Sequence, residues 1–182
     1  MLTGVLVTGF EPFGAHEVNP SQLLAQELDG VVLPVAYAHA ADVLRAALRE
    51  RDPDLVICFG LAESRSAVSV ERFAHNLDEA STSDNESASG SGSEIEPGGP
   101  LACRSSLPVD AIVAALRGQE IPAEVSRDAG GFLCNHVFYV LMRTLGNDSR
   151  GGFVHVPPLD VLALEDQLRA ARTIVATSSS RA

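Results

Sequence analysis

The run Leu55-Val56-Ile57-Cys58-Phe59-Gly60 is apolar without a break and ends in glycine, and it restricts the fold more than any other segment. A strand with one face in water alternates apolar and polar residues. An unbroken apolar run of strand length belongs instead to a sheet covered on both faces, the position of a central strand in an α/β fold. The flanking segments agree. Gly4 to Thr8 reads as a buried strand, Pro20 to Leu28 as a helix with Asn19 as its N-cap and Pro20 in the first turn, and Val31 to Ala36 as another strand. Ala40 to Arg51 has helical periodicity closed by Asp52-Pro53, and Ala67 to Phe73 alternates like a strand. Helix 110–117, strand 123–126, helix 132–145, strand 152–156 and helix 160–176 complete the series. The expected fold is α/β: a single-domain three-layer sandwich over residues 1–182, with a central, mostly parallel or mixed twisted sheet flanked by helices.

Composition narrows the function classes. A chain of 182 residues that is 46% hydrophobic can bury one sizeable core and is short for two. Its formal net charge of -11 offers no electrostatic footprint for nucleic acid or an anionic membrane. The N-terminal stretch lacks a basic leader, and its apolar run is too short for a signal sequence or a span, so a cytoplasmic location is expected. Cys58, Cys103 and Cys134 are odd in number and lack CxxC spacing, which argues for free thiols and against a disulfide framework or a structural zinc site. Between Leu77 and Ser106 the composition turns to Ser, Gly, Asp and Glu, which predicts a mobile surface loop over about 77–106, either a tolerated insertion or a flap.

Ligand sites in such folds lie at the carboxyl ends of strands, where Gly9-Phe10-Glu11-Pro12-Phe13-Gly14, Gly60-Leu61-Ala62 and His155-Val156-Pro157-Pro158 all fall. In Gly130-Gly131-Phe132-Leu133-Cys134-Asn135-His136 the glycines mark a turn, and Val137, Val140, Leu141 and Leu145 recur at helical spacing. Cys134 is then an early helical residue. The unpaired N–H groups there favour an anion, so they would lower the thiol pKa and could hold an oxyanion. A lone cysteine can equally be a small core hydrophobe. His155, near the end of an apolar strand, has the near-neutral pKa that proton transfer to and from a thiol requires, although an isolated histidine there can simply be a hydrogen-bonded core residue. His16, His39, His75 and His136 have weaker claims, and His136 should point around the helix away from Cys134. Strand parity puts Ser69 and Glu71 on one face and Val68 and Val70 on the other. Glu71 could orient His155, or could form an ordinary salt bridge with Arg72 or Arg65.

These segments together resemble the pyrrolidone carboxyl peptidases, or pyroglutamyl peptidases I, a family of cysteine peptidases. The resemblance is carried by Val5 through Gly14 with Val18-Asn19-Pro20, by Gly60-Leu61-Ala62 with Arg65-Ser66, and by Ser69-Val70-Glu71-Arg72. Ser126 through Asn135 and Gly152 through Pro157 extend it across most of the chain. It implies a triad of Cys134 as nucleophile, His155 as general base and acid, and Glu71 as the group orienting His155. It also implies the α/β sandwich, no metal or other cofactor, and peptides with N-terminal pyroglutamate as partners. Phe10 and Phe13 would clasp the lactam ring, with Asn19 in the same pocket. The family's assembly implies a homo-oligomer, although the tract between Pro158 and the last helix is shorter here than in many members. Ser81 stands where the family usually has Arg, and Glu63-Ser64 where it has a small or Pro-Gly pair. Two other readings remain: a Cys/His amidohydrolase acting on a side-chain amide, and a non-catalytic α/β binding protein with Gly9 to Gly14 cradling an anion.

Overall fold

A computed structural model describes residues 4–14, 16–80, 83–90 and 92–180; Ser81 and the first three residues fall outside them. In chain order the elements are β1 (Val5–Phe10), α1 (Pro20–Glu27), β2 (Val31–Leu33), α2 (Tyr37–Arg51), β3 (Leu55–Leu61), β4 (Val68–Glu71) and β5 (Phe73–His75). Next come β6 (Ala102–Arg104), α3 (Val109–Arg117), β7 (Ala123–Ser126), α4 (Leu133–Thr144), β8 (Arg150–Val156) and α5 (Leu164–Ser179). The main sheet runs β2-β1-β3-β8-β4-β7, and every adjacent pair is parallel except β4 with β8. The expected mixed, mostly parallel sheet is present.

The unbroken apolar run forms β3, and all of its residues are buried. Its parity divides the core. Leu55, Ile57 and Phe59 join Val7, Val68, Val70, Val154 and Val156 on the face covered by α1, α3 and α5. Val56 and Cys58 join Leu6, Phe10 and Phe153 on the other face, under α2 and α4. Helix α4 is fixed to that second face by Val137, Phe138 and Leu141, all fully buried. Each such side chain contributes roughly 1.5–3 kcal/mol over its exposed state, so the start of α4 is held by packing further along.

Among the boundaries that differ from the sequence reading, two have non-local causes and one a local turn. Helix α2 begins at Tyr37 rather than Ala40, and the Tyr37 N–H donates to Asp84 Oδ2 at 3.0 Å, a cap supplied from 47 positions away. The single strand expected over Ala67 to Phe73 is divided at Arg72, because β4 pairs in the main sheet whereas β5 pairs with β6. Helix α5 starts at Leu164, after a turn in which the Val161 and Leu162 N–H groups both donate to Pro158.

The serine-rich stretch carries structure in its described part. It contributes β6, and an antiparallel bridge joins Asp78 to Ser93. Asp84, buried, accepts from the N–H groups of Glu86 and Ala88. The Asn85 N–H donates to the Val35 carbonyl, and its side-chain amide donates to Glu11 Oε1 at 3.0 Å. That fastens the turn to the loop between β1 and α1.

Candidate active site

Register brings the expected site residues to one face. His155 is paired with Gly60 across β3 and β8 and with Ser69 across β8 and β4. Two residues along β4 from Ser69, on the same face, is Glu71. Because Val70 and Val154 point into the opposite core, Glu71 and His155 point toward the layer that contains α4. Their side chains meet there: His155 Nδ1 lies 2.8 Å from Glu71 Oε1, with both residues buried.

Cys134 is the second residue of α4, in the first turn as its spacing indicates. The chain reaches it through Gly130, whose φ of +81° is left-handed and suits glycine, and the Gly130 N–H donates to Asp128 Oδ1 at 2.8 Å. Phe132 is the N-cap and offers no side-chain acceptor, so no side chain of the cap occupies the N–H groups that open the helix. Asn135, fully buried, accepts from the His75 N–H and donates to the carbonyls of His75 and Leu77, pinning this turn to β5. The thiol hangs over Gly60, where a Cβ would stand 2.8 Å from Cys134 Sγ. Gly60 therefore leaves the space for the sulfur, beside His155 on the neighbouring strand.

The electrostatics correct one expectation. The helix terminus does not leave a low-pKa thiol: burial pushes Cys134 up to about 12 from 9.0, Glu71 and Cys58 add to the rise, and Arg65 opposes it. The residue is half-buried, but its sulfur end is the inner one, against Gly60. At rest the thiol keeps its proton. Alkylation of Cys134 by iodoacetamide, followed without substrate, should accordingly be slow at about pH 5 and rise at least about tenfold by pH 8. A rate already at its plateau near pH 5 would mark a resting thiolate.

Glu71 also satisfies the alternative sequence reading, since Arg65 Nη2 lies 3.1 Å from the same Oε1. The guanidinium donates as well to the Asp128 carbonyl at 2.8 Å, and so ties the carboxylate to the segment leading to Cys134. Arg72 instead pairs with Asp110. Glu71 Oε2 is buried without a hydrogen-bond partner among the described residues.

Phe10, Phe13, Asn19 and Cys134 line one cavity of about 40 Å³ together with Val35, Leu61, Phe132 and Leu133. Sequence reasoning missed Phe132. Its ring centroid lies 6.3 Å from that of Phe13, and an aromatic residue at a helix N-cap, where a small polar one is favoured, was the available signal. The Asn19 side chain is committed to structure: Oδ1 accepts from the Ser21 N–H and hydroxyl, and Nδ2 donates to the Glu11 carbonyl at 3.1 Å. It caps α1 and holds the loop that carries Phe13. The other histidines pair elsewhere, His16 with Glu63, His39 with Glu86, His75 with the Arg127 carbonyl and His136 with Asp78. No group of three or more potential metal-ligating side chains occurs among the described residues.

This arrangement sits in a chain similar to proteins of known kind. The model of the pyroglutamyl peptidase family matches residues 3–176. A pyrrolidone-carboxylate peptidase of Gloeobacter violaceus is 43% identical over 95% of this chain and 90% of its own length. One from Pyrococcus furiosus is 43% identical over 84% of this chain and 80% of its own. The crystal structure of pyroglutamyl peptidase I from Bacillus amyloliquefaciens superposes with a TM-score of 0.93 at 36% identity, covering 100% of this chain and 97% of that one.

Proposed function

The chain belongs to the pyroglutamyl peptidase family, a cysteine-type enzyme that removes N-terminal pyroglutamate from peptides, and we propose that Cys134, His155 and Glu71 carry that reaction. The observation behind the assignment is the buried 2.8 Å contact between His155 Nδ1 and Glu71 Oε1 on the face over which the thiol hangs. With Nδ1 facing Glu71, the other ring nitrogen is left for proton transfer.

Cys134 gives its proton to His155 Nε2 as sulfur attacks the pyroglutamyl carbonyl carbon, and the C=O electrons move onto oxygen. Backbone N–H groups at the start of α4 receive that oxyanion. When the intermediate collapses, the C–N bond breaks and imidazolium protonates the leaving amine. Water then attacks the thioester, giving its proton to His155, and pyroglutamate leaves as the proton returns to sulfur. A raised thiol pKa fits this order, since ionisation accompanies attack, and the Glu71 charge that disfavours a free thiolate stabilises the imidazolium formed with it.

Phe10, Phe13 and Phe132 are the proposed walls for the flat lactam, with Asn19 acting through the loop it holds. In the same proposal residues 1–182 act as one domain that resides in the cytoplasm and assembles as a homo-oligomer. Three free cysteines fit a reducing compartment, and no helix of the described residues is long and apolar enough to cross a membrane.

The test is hydrolysis of a pyroglutamyl anilide beside free glutamine and a glutamyl anilide. Turnover of the pyroglutamyl compound alone, abolished by thiol alkylation, is expected. Turnover of only the other two would assign the site to a side-chain amidohydrolase.

A further inference from the structure

On the proposed reading of the site, we infer that the groove bounded by His16, Glu63, Pro158 and Asp160 holds the peptide on the leaving-group side of pyroglutamate, and that its carboxylates favour a basic residue there. The groove encloses about 450 Å³ and is also lined by Val18, Pro20 and Leu61. It continues from the reactive cavity: Leu61 lines both, and Asn19, between Val18 and Pro20, lines the cavity.

Its position matches the direction in which the leaving group departs. The acyl part of the substrate is held on the Cys134 side, among the phenylalanines. The amine must leave past the acid that protonates it, His155 near the end of β8. Pro158, Leu159 and Asp160 follow that strand after Pro157 and form a wall of the groove. A chain leaving the scissile bond toward His155 therefore enters this space. Pro158, Val18 and Leu61 give apolar contact to its backbone and side-chain stems.

The charge on the walls selects the residue next to pyroglutamate. Among the described residues Glu63 and Asp160 are the carboxylates lining the groove, and neither an arginine nor a lysine lines it. The opposing polar group is His16, whose Nε2 stands 2.6 Å from Glu63 Oε1 and offsets part of one charge when protonated. Glu63 is 59% exposed at its side chain, so the field is screened by solvent and salt and the selectivity is modest.

The experiment compares pyroglutamyl-Arg-Gly-amide with pyroglutamyl-Glu-Gly-amide by mass spectrometric release of the dipeptide amide, each rate normalised to pyroglutamyl-7-amido-4-methylcoumarin turnover by the same protein. At low ionic strength kcat/KM should favour the Arg peptide by about five- to tenfold, falling toward about twofold in 0.5 M salt. The Glu63→Gln/Asp160→Asn protein should bring the ratio near one, and Glu63→Lys should reverse it. A ratio near one in the unaltered protein, or a preference that survives both sets of substitutions, would overturn the groove assignment while coumarin turnover leaves the pyroglutamyl reading standing. Absence of coumarin turnover in the unaltered protein would overturn both.

Discussion

Replacing Cys134 by alanine should lower kcat/KM for a pyroglutamyl anilide by about 10⁴-fold or more, the scale seen when a covalent nucleophile is removed. The loss should be confined to chemistry. Cys134 is half-buried at the second position of α4, and Val137, Phe138 and Leu141 anchor the helix independently of it. Alanine is the best helix former, so the variant should melt within roughly 1 kcal/mol of the unaltered protein. Cys134→Ser tests the same point with a hydroxyl in place of the thiol and should also be inactive. Cys103→Ala supplies the contrast, because Cys103 lies in β6, outside the site, and its loss should leave turnover in place. Full activity in the Cys134→Ser protein would contradict the mechanism.

Glu71→Gln should lower kcat by about 10²–10⁴-fold with little change in KM, since Glu71 touches His155 and Arg65 but does not line the aromatic cavity. The amide can still accept at one atom, but it no longer carries the charge that stabilises imidazolium, and rotation would present an N–H to Nδ1 and favour the wrong tautomer. The competing view makes Glu71 chiefly the counter-ion of Arg65. Arg65→Met separates the two. It removes the 3.1 Å ion pair and the bond to the Asp128 carbonyl while leaving the His155 contact, so it should cost about tenfold in kcat, well short of Glu71→Gln. Equal losses in folded Arg65→Met and Glu71→Gln proteins would favour the counter-ion role. Thermal melts of both variants, read beside the kinetics, separate loss of fold from loss of orientation.

The parts of this molecule that arise from local pattern were readable in the chain. The run from Leu55 to Gly60 read as a central strand covered on both faces, and β3, which contains it, is wholly buried. Parity along Val68–Glu71 put Glu71 on the face opposite Val70, and β4 obeys it. Asn19 was recognisable as an N-cap, and it caps α1. What escaped was supplied from elsewhere in the chain. The cap of α2 comes from Asp84, and the break at Arg72 exists because β6 claims the residues beyond it. The thiol pKa was misjudged because a helix terminus is visible in sequence, whereas burial over Gly60 and the proximity of Glu71 require the folded sheet. The double attachment of Arg65 and the groove at Glu63 and Asp160 likewise join segments that sequence leaves far apart.

The most direct measurement is to mix enzyme with excess pyroglutamyl anilide, quench in acid within the first turnovers, and map the protein by peptide mass spectrometry. The account predicts a mass increase of one pyroglutamyl group on the peptide containing Cys134, lost on treatment with hydroxylamine and absent from the Cys134→Ser protein. A pyroglutamyl adduct at Cys58 or Cys103, or turnover that persists in the Cys134→Ser protein, would contradict it.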